Sequence, residues 1–349
     1  MTSLPSRNLI KARDILLSAE KHGKENVLEI YEKRMEKKRA MYFTILFKDS
    51  SGAKKTLDYL ELNLLMDNVF DFDIQYGPFT AFQLYCDQNY KEEIKNTSYY
   101  EKLSEQTKNH IYSKIEESIT ALDILETSFQ KELKSFKAKI TDPNSKMYLL
   151  NFFPKKLNQE QIENLVDNID SIGVLHEYES KKQMKVKINH NDNNEFIYKT
   201  YNKEKKAVEE VPVEFFNGSK KFEELKQTEQ FVQEFSKLSF CKFIINMTSV
   251  YIYNSNNVLG LRIKKELVKA FKIKNNDINE MTDLLEDLDL EKEDEAGEED
   301  EAGEKDEAGE EDEKDEKEVE EALDDDAKRE KMMREEIDKI YKDDDNESF

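Results

Sequence analysis

Two cysteines and four histidines are all the thiol and imidazole chemistry in this chain of 349 residues. His22, His110, His176 and His190 are scattered, and none stands near Cys86 or Cys241 in sequence. A zinc site or a Cys/His nucleophile would therefore have to be assembled from remote positions. Three of the nine glycines fall in acidic repeats near the C-terminus, and no glycine-rich phosphate loop exists. Those repeats lack the loop-and-turn ligand order of a calcium hand. The reading is a protein that is not an enzyme and needs no cofactor or dedicated metal. What remains is binding chemistry.

Cations interleaved with aromatic residues on strand-like runs are the sequence form of a surface that holds single-stranded nucleic acid. Lysines track the backbone, and each base stacked on an aromatic face contributes about 1–3 kcal/mol. The pattern recurs in Lys146–Phe153, Lys181–Tyr201 and Phe240–Lys264. The candidate groove is Lys146, Tyr148, Lys185, Lys187, Tyr198, Tyr201, Lys242, Tyr251, Tyr253, Arg262 and Lys264. The plainer reading of the same residues is a sheet with solvated lysines outside and aromatics in its core.

The elements that must position these residues are legible in outline. Residues 6–40 read as helix, from Leu9, Ile10, Leu16, Leu17, Val27, Leu28 and Tyr31, ending in the cationic run Lys33–Arg39. Met41–Phe47, a turn at Asp49–Ala53 and Thr56–Met66 read as a hairpin. An aromatic-rich stretch from Phe70 to Tyr85 follows. Residues 90–139 carry a helical stripe from Leu103 to Phe136, stopped at Asp142-Pro143. Lys146–Phe153 reads as a strand and 158–171 as a short helix. Lys181–Ile188 puts Met184, Val186 and Ile188 on one face and Lys185 and Lys187 on the other, and it returns as Phe196–Tyr201. A helix over 219–237 and a long strand Phe240–Tyr253, returning as Val258–Lys264, complete the body. The fold class expected is α+β: an antiparallel, OB-like barrel elaborated by several helices, with a disordered acidic C-terminal tail.

The charge of the chain is divided unevenly. Residues 277–349 hold 10 Lys+Arg and 37 Asp+Glu, a formal −27, and the preceding 276 residues sum to +4. The tail contains the hexapeptides DEAGEE, DEAGEK and DEAGEE from Asp294 to Glu311. A spaced polyanion with few apolar residues buries no core and self-repels, so disorder is expected there. A short helix is expected over about 327–341, from Met332, Met333, Ile337, Ile340 and Tyr341. The domain reading is an N-terminal helical segment over 1–40, a binding body over 41–276 and the tail over 277–349. Two thiols in so long a chain suggest a reducing compartment. With no long apolar run and no signal-peptide core, the expectation is a soluble intracellular protein that spans no membrane.

The chain's last residues, Asp343-Asp344-Asp345-Asn346-Glu347-Ser348-Phe349, resemble the tips of replication-type single-stranded DNA-binding proteins of bacteria and phages. Those tips carry an acidic run and a terminal Phe that partner proteins grip by ring and carboxylate. The resemblance implies that Asp343, Asp344, Asp345 and Phe349 bind replication partners. The strand pairs at Met41–Met66 and Phe240–Lys264, with a composition rich in Lys, Asn and Ile, are loosely similar to the OB-fold single-stranded DNA-binding proteins of large DNA viruses. This implies a replication or repair protein at a nuclear or cytoplasmic viral replication site. Its acidic tail would compete with DNA for the groove and recruit partners. The alternatives are an acidic chaperone for histones or other basic proteins, with helix 104–139 as a dimer element, and a scaffold with a solubilising tail.

Overall fold

The computed structural model describes residues 8–37, 40–72, 79–95, 97, 100–145, 148–149, 172–178, 181–202, 207–218, 220–222, 225, 228–235, 237–255 and 258–272. The acidic tail, with its expected helix over 327–341 and Asp343, Asp344, Asp345 and Phe349, lies outside these residues, as do Lys146 and the expected helix 158–171. The chain divides into two units, Met1–Tyr198 with Val211–Met281, and Lys199–Glu210 with Thr282–Phe349. In the second, Lys199 Nζ lies 3.2 Å from Glu210.

The first unit is mixed α+β. A short strand β1 (Leu9–Lys11) leads into helix α1 (Ala12–His22), whose first turn is fixed by the Lys11 N–H donating to Asp14 at 2.9 Å. Strands β2 (Leu28–Lys37) and β3 (Ala40–Lys48) pair as a hairpin, followed by β4 (Lys54–Thr56) and the long β5 (Tyr59–Phe72). This corrects the hairpin expected from Met41–Phe47 and Thr56–Met66: only Lys54–Thr56 returns on β3, and from Tyr59 the chain joins a different sheet. β6 (Phe79–Tyr85) and a short helix α2 (Tyr90–Lys95) precede the 37-residue helix α3 (Glu105–Thr141), capped by Ser104 accepting from the Thr107 N–H at 3.1 Å. After β7 (His176–Tyr178) come β8 (Lys181–His190), β9 (Phe196–Asn202) and β10 (Ala207–Pro212), whose residues from Lys199 to Glu210 are counted with the second unit, then β11 (Glu214–Asn217) and β12 (Lys220–Lys221). Helix α4 (Thr228–Glu234) then leads to β13 (Phe240–Asn246), β14 (Ser249–Ser255), β15 (Val258–Ile263) and β16 (Glu266–Lys272).

Five strands close on themselves. β8 pairs with β6, β6 with β5, β5 with β13, β13 with β16, and β16 returns to β8 through Glu266 and Lys187. Numbered along the chain, the ring runs first, second, third, fifth, fourth, first. Every pairing is antiparallel except the third-to-fifth closure. Phe82, Leu84, Met184, Val186, Ile188 and Phe243 are buried in this first unit, and Phe82 packs on Phe243 at 5.6 Å. α4 supplies a plug: Phe231 meets Phe82 at 5.6 Å, Phe196 at 6.0 Å, Phe215 at 5.4 Å and Phe235 at 5.0 Å.

A second sheet, in the order β15-β14-β3-β2 with β4 on β3, is built from the N-terminal hairpin and from β14–β15, which is inserted between the fourth and fifth barrel strands. α3 serves both sheets. Its Ser118 hydroxyl accepts the Asn63 N–H of β5 at 2.9 Å, and its Ser128 hydroxyl accepts the Leu28 N–H of β2 at 2.8 Å. Both bonds are buried and satisfy strand groups left without a neighbouring strand. Phe136 closes edge-on against Phe43 at 4.7 Å.

Several expectations are corrected. Helix does not run through 6–40: it ends at His22, and 28–37 is strand, because pairing with β3 overrides a weak helical periodicity. The 1–40 segment is part of the same unit as the barrel rather than a helical piece of its own. The helix over 219–237 contracts to Thr228–Glu234, with Lys220–Lys221 paired as strand. The run Phe240–Tyr253 is two strands in two sheets. It breaks at 247–248, where Asn246 Oδ1 accepts from the Thr248 N–H (3.3 Å) and hydroxyl (3.1 Å). Tyr148 is no strand residue: its N–H closes a turn onto Ser145 at 3.1 Å. Among the described residues no helix is long and apolar enough to cross a membrane.

Candidate nucleic-acid interface

β8 alternates as its sequence suggests, with Met184, Val186 and Ile188 buried and Lys185 and Lys187 exposed. In register beside them on β6 stand Gln83, opposite Lys185, and Ala81, opposite Lys187. The two lysines therefore mark the outer surface of the second and third barrel strands. Lys181 and Lys182, at the start of the same strand, are held by Glu93 at 3.0 Å and Asp123 at 2.8 Å.

The second sheet approaches this surface through β15. Arg262 is exposed and lies close enough to Lys185 to act on it. Partial burial, and then the guanidinium beside it, hold the Lys185 ammonium below the usual lysine range. Arg262 is in register with Tyr251 on β14, and Tyr251 with Tyr42 on β3. The rings of Tyr42 and Tyr251 stack with centroids 5.3 Å apart and planes 25° apart. Their strands bury the opposite parity, Phe43, Val250, Ile252, Leu261 and Ile263, so the tyrosines and Arg262 share the outer face. Lys264, half-buried, lies two positions along from Arg262 and is 3.2 Å from Glu266.

Of the residues proposed from sequence, Lys185, Lys187, Tyr251, Arg262 and Lys264 are thus brought to adjoining surfaces. Tyr253 is in register with Ala40 and Gly260 on the same sheet, and Tyr201 lies on β9; their side chains fall outside the described residues. Two proposals are displaced. Tyr198 is 4 % exposed and belongs to the core. Lys242 is 6 % exposed, its ammonium 5.1 Å from the centre of the Phe271 ring, because β13 is buried on both faces. Neither is a surface contact. Tyr148 is half-buried in its turn, remote in sequence from the strands that form the surface.

Sequence reasoning missed Tyr42, although the alternation of Phe43, Ile45 and Phe47 against Tyr42 and Thr44 carried the signal. It also missed Lys265, at the corner between β15 and β16. Among the described residues no group of three or more His, Cys, Asp and Glu side chains gathers as a metal site. Both thiols are buried, which pushes Cys86 up to about 12 and Cys241 higher still, so neither is a ready nucleophile. Compared with protein-family models and with curated proteins, the chain matches none.

Proposed function

We propose that the body binds single-stranded nucleic acid, DNA in the first instance, across the outer face of β6–β8 and the adjoining face of β3–β14–β15, without catalysing a reaction. The observation that carries this reading is the convergence of Lys185 and Lys187, from a barrel strand, with Arg262 and the stacked Tyr42–Tyr251 pair, from the inserted hairpin. Cations beside half-exposed aromatic rings suit a flexible polyanion with bases to stack. The ring order, its parallel third-to-fifth closure and the helix plugging the barrel before the fourth strand support an OB-like reading. In such barrels, the face of strands two and three and the loop between strands four and five take oligonucleotides.

The proposal extends to the tail. A polyanion of −27 tethered to this surface competes with nucleic acid for the same cations and is displaced by the same counterion logic. The resemblance of Asp343–Phe349 to partner-binding tips adds recruitment of replication proteins to the proposal.

Fluorescence anisotropy of a labelled dT oligonucleotide with the full chain, across a salt series, tests the reading. Affinity is expected to fall steeply with salt, and Lys187→Gln is expected to lower the log–log slope by about 0.7, one phosphate contact on a single strand. No binding at low salt, or a slope unmoved by charge removal at Lys185, Lys187 and Arg262 together, overturns it. Added Asp343–Phe349 peptide measures whether an acidic segment competes.

A further inference from the structure

The Tyr42–Tyr251–Arg262 row and the β8 lysines belong to different sheets, so something must set one sheet against the other. The inserted hairpin leaves the barrel at residues 247–248 and re-enters it at 264–265. At the re-entry, the Lys264 N–H donates to the Ser249 carbonyl at 2.8 Å, which ties the corner to β14. The Lys265 carbonyl accepts the Lys187 N–H at 2.9 Å, which ties it to β8 beside a proposed contact residue. The Lys265 side chain points a third way, onto the segment before β7. Its ammonium donates to the carbonyls of Val174 at 2.9 Å and Gly173 at 3.4 Å, and lies 3.3 Å from His176 Nε2.

That segment is itself anchored to α3. Glu126 accepts the Leu175 N–H at 3.0 Å, and Gln130 donates to the Ile172 carbonyl at 2.8 Å. Gly173 fits because it has no side chain: a Cβ there would stand 2.6 Å and 2.8 Å from the two Glu126 carboxylate oxygens and 2.8 Å from the Leu175 carbonyl. A continuous set of hydrogen bonds therefore runs from α3 through 172–176 to Lys265, and from there to the barrel and the hairpin.

We propose that Lys265 is the positioning residue that locks the β14–β15 hairpin against the barrel, so that Arg262 and the tyrosine pair complete one surface with Lys185 and Lys187. The inference rests on the nucleic-acid reading above. The lock is charge-assisted, and it is titratable. Facing the Lys265 ammonium are Glu126 from α3, Cys86 after β6, Lys185 from β8 and His176 from β7. Burial first, opposed by Glu126, brings Lys265 down to about 8. His176 is lowered to about 4 by burial and then by Lys265 and Lys185, and the Cys86 thiol stays protonated, so around neutral pH Lys265 and Lys185 are the cations of this group. As pH rises through about 8, Lys265 loses its proton and with it the charge in its bonds to the two carbonyls. Surface assembly, and with it affinity, weakens.

The test is dT-oligonucleotide anisotropy with the full chain at fixed low salt, from about pH 7 to about pH 9. Wild type is expected to lose about fivefold in affinity across this range, the lower end of ordinary coupling between sites. Lys265→Met is expected to bind at pH 7 as wild type does at about pH 9, with the step gone. Glu126→Gln removes the carboxylate that favours the ammonium, and the midpoint is expected to move to lower pH even if the methionine variant folds poorly. A flat wild-type profile, a step that survives in Lys265→Met but vanishes in Lys185→Gln, or a Glu126→Gln midpoint that stays put would each overturn the proposal. No binding by wild type at any pH removes the nucleic-acid reading itself.

Discussion

The closed barrel and the second sheet solve the same packing problem in opposite ways. β13, in the barrel, buries all seven of its residues, Phe240 to Asn246, because the barrel interior takes one face and the surrounding elements take the other. β14, the next strand in the chain, buries Val250 and Ile252 and leaves Tyr251 half-exposed. A strand covered on both sides has nothing to offer a ligand, and a cation placed on it, such as Lys242, is drawn in against an aromatic ring. A strand covered on one side leaves its other face accessible to a ligand. β8 belongs to the barrel yet follows the second rule, and it is the barrel strand on which Lys185 and Lys187 stand exposed. Stability and binding should therefore separate between the two kinds of strand.

The largest expected effect tests the buried kind. Phe231→Ala empties the plug among Phe82, Phe196, Phe215 and Phe235 and is expected to cost about 3–5 kcal/mol in denaturant unfolding. A loss under about 1 kcal/mol would mean that the aromatic plug is not what fills the barrel end. Next, Ser118→Ala leaves the buried Asn63 N–H without its acceptor, at about 1–3 kcal/mol, and Ser128→Ala does the same to Leu28 in the other sheet. Equal costs would show α3 supporting both sheets alike. On the one-sided strands the effect moves from stability to affinity. Tyr251→Ala is expected to weaken dT binding by about 1–3 kcal/mol, while unfolding shifts by no more than about 1 kcal/mol. The smallest effect is chemical: Cys86 and Cys241 should not react with an aromatic disulfide in the native protein, and both should react in denaturant. Linkage runs the same way. A thiol whose folded value is raised keeps its proton where the unfolded one loses it, so stability falls as pH rises above the unfolded thiol range of about 8.5.

The two kinds of strand also explain what could be read in advance. Strand β8 was legible because Met184 to Ile188 alternate strictly and one face is wet. Helix α3 was legible from its stripe, and Asp142-Pro143 marked its end correctly. The division of Phe240–Tyr253 was not, because residues buried on both faces and residues buried on one run together as apolar sequence; only Asn246 and Thr248 marked the corner. β2 was hidden because Leu28 and Tyr31 fall at helical spacing, and its strand state is imposed by β3 across the sheet. Lys242 was misplaced because β13 is covered on both faces, and Tyr198 because β9 buries Phe196, Ile197 and Tyr198 in succession instead of alternating. Lys265 was beyond reach, since its role comes from 172–176, more than eighty residues away in the chain.

The two serines of α3 also set a phase. Ser118 and Ser128 lie ten residues apart, so their hydroxyls are offset by about 15 Å along the axis and about 80° around it. β5 and β2 are each held at one of those two bearings. An inserted residue between the serines would advance the second by about 100°, turning its hydroxyl away from the strand while lengthening the helix by only about 1.5 Å. For this segment of the chain, the tolerance to change is set by angle far more than by length. Substitutions on its wet face can accumulate freely, but a single insertion or deletion throws the two sheets out of step.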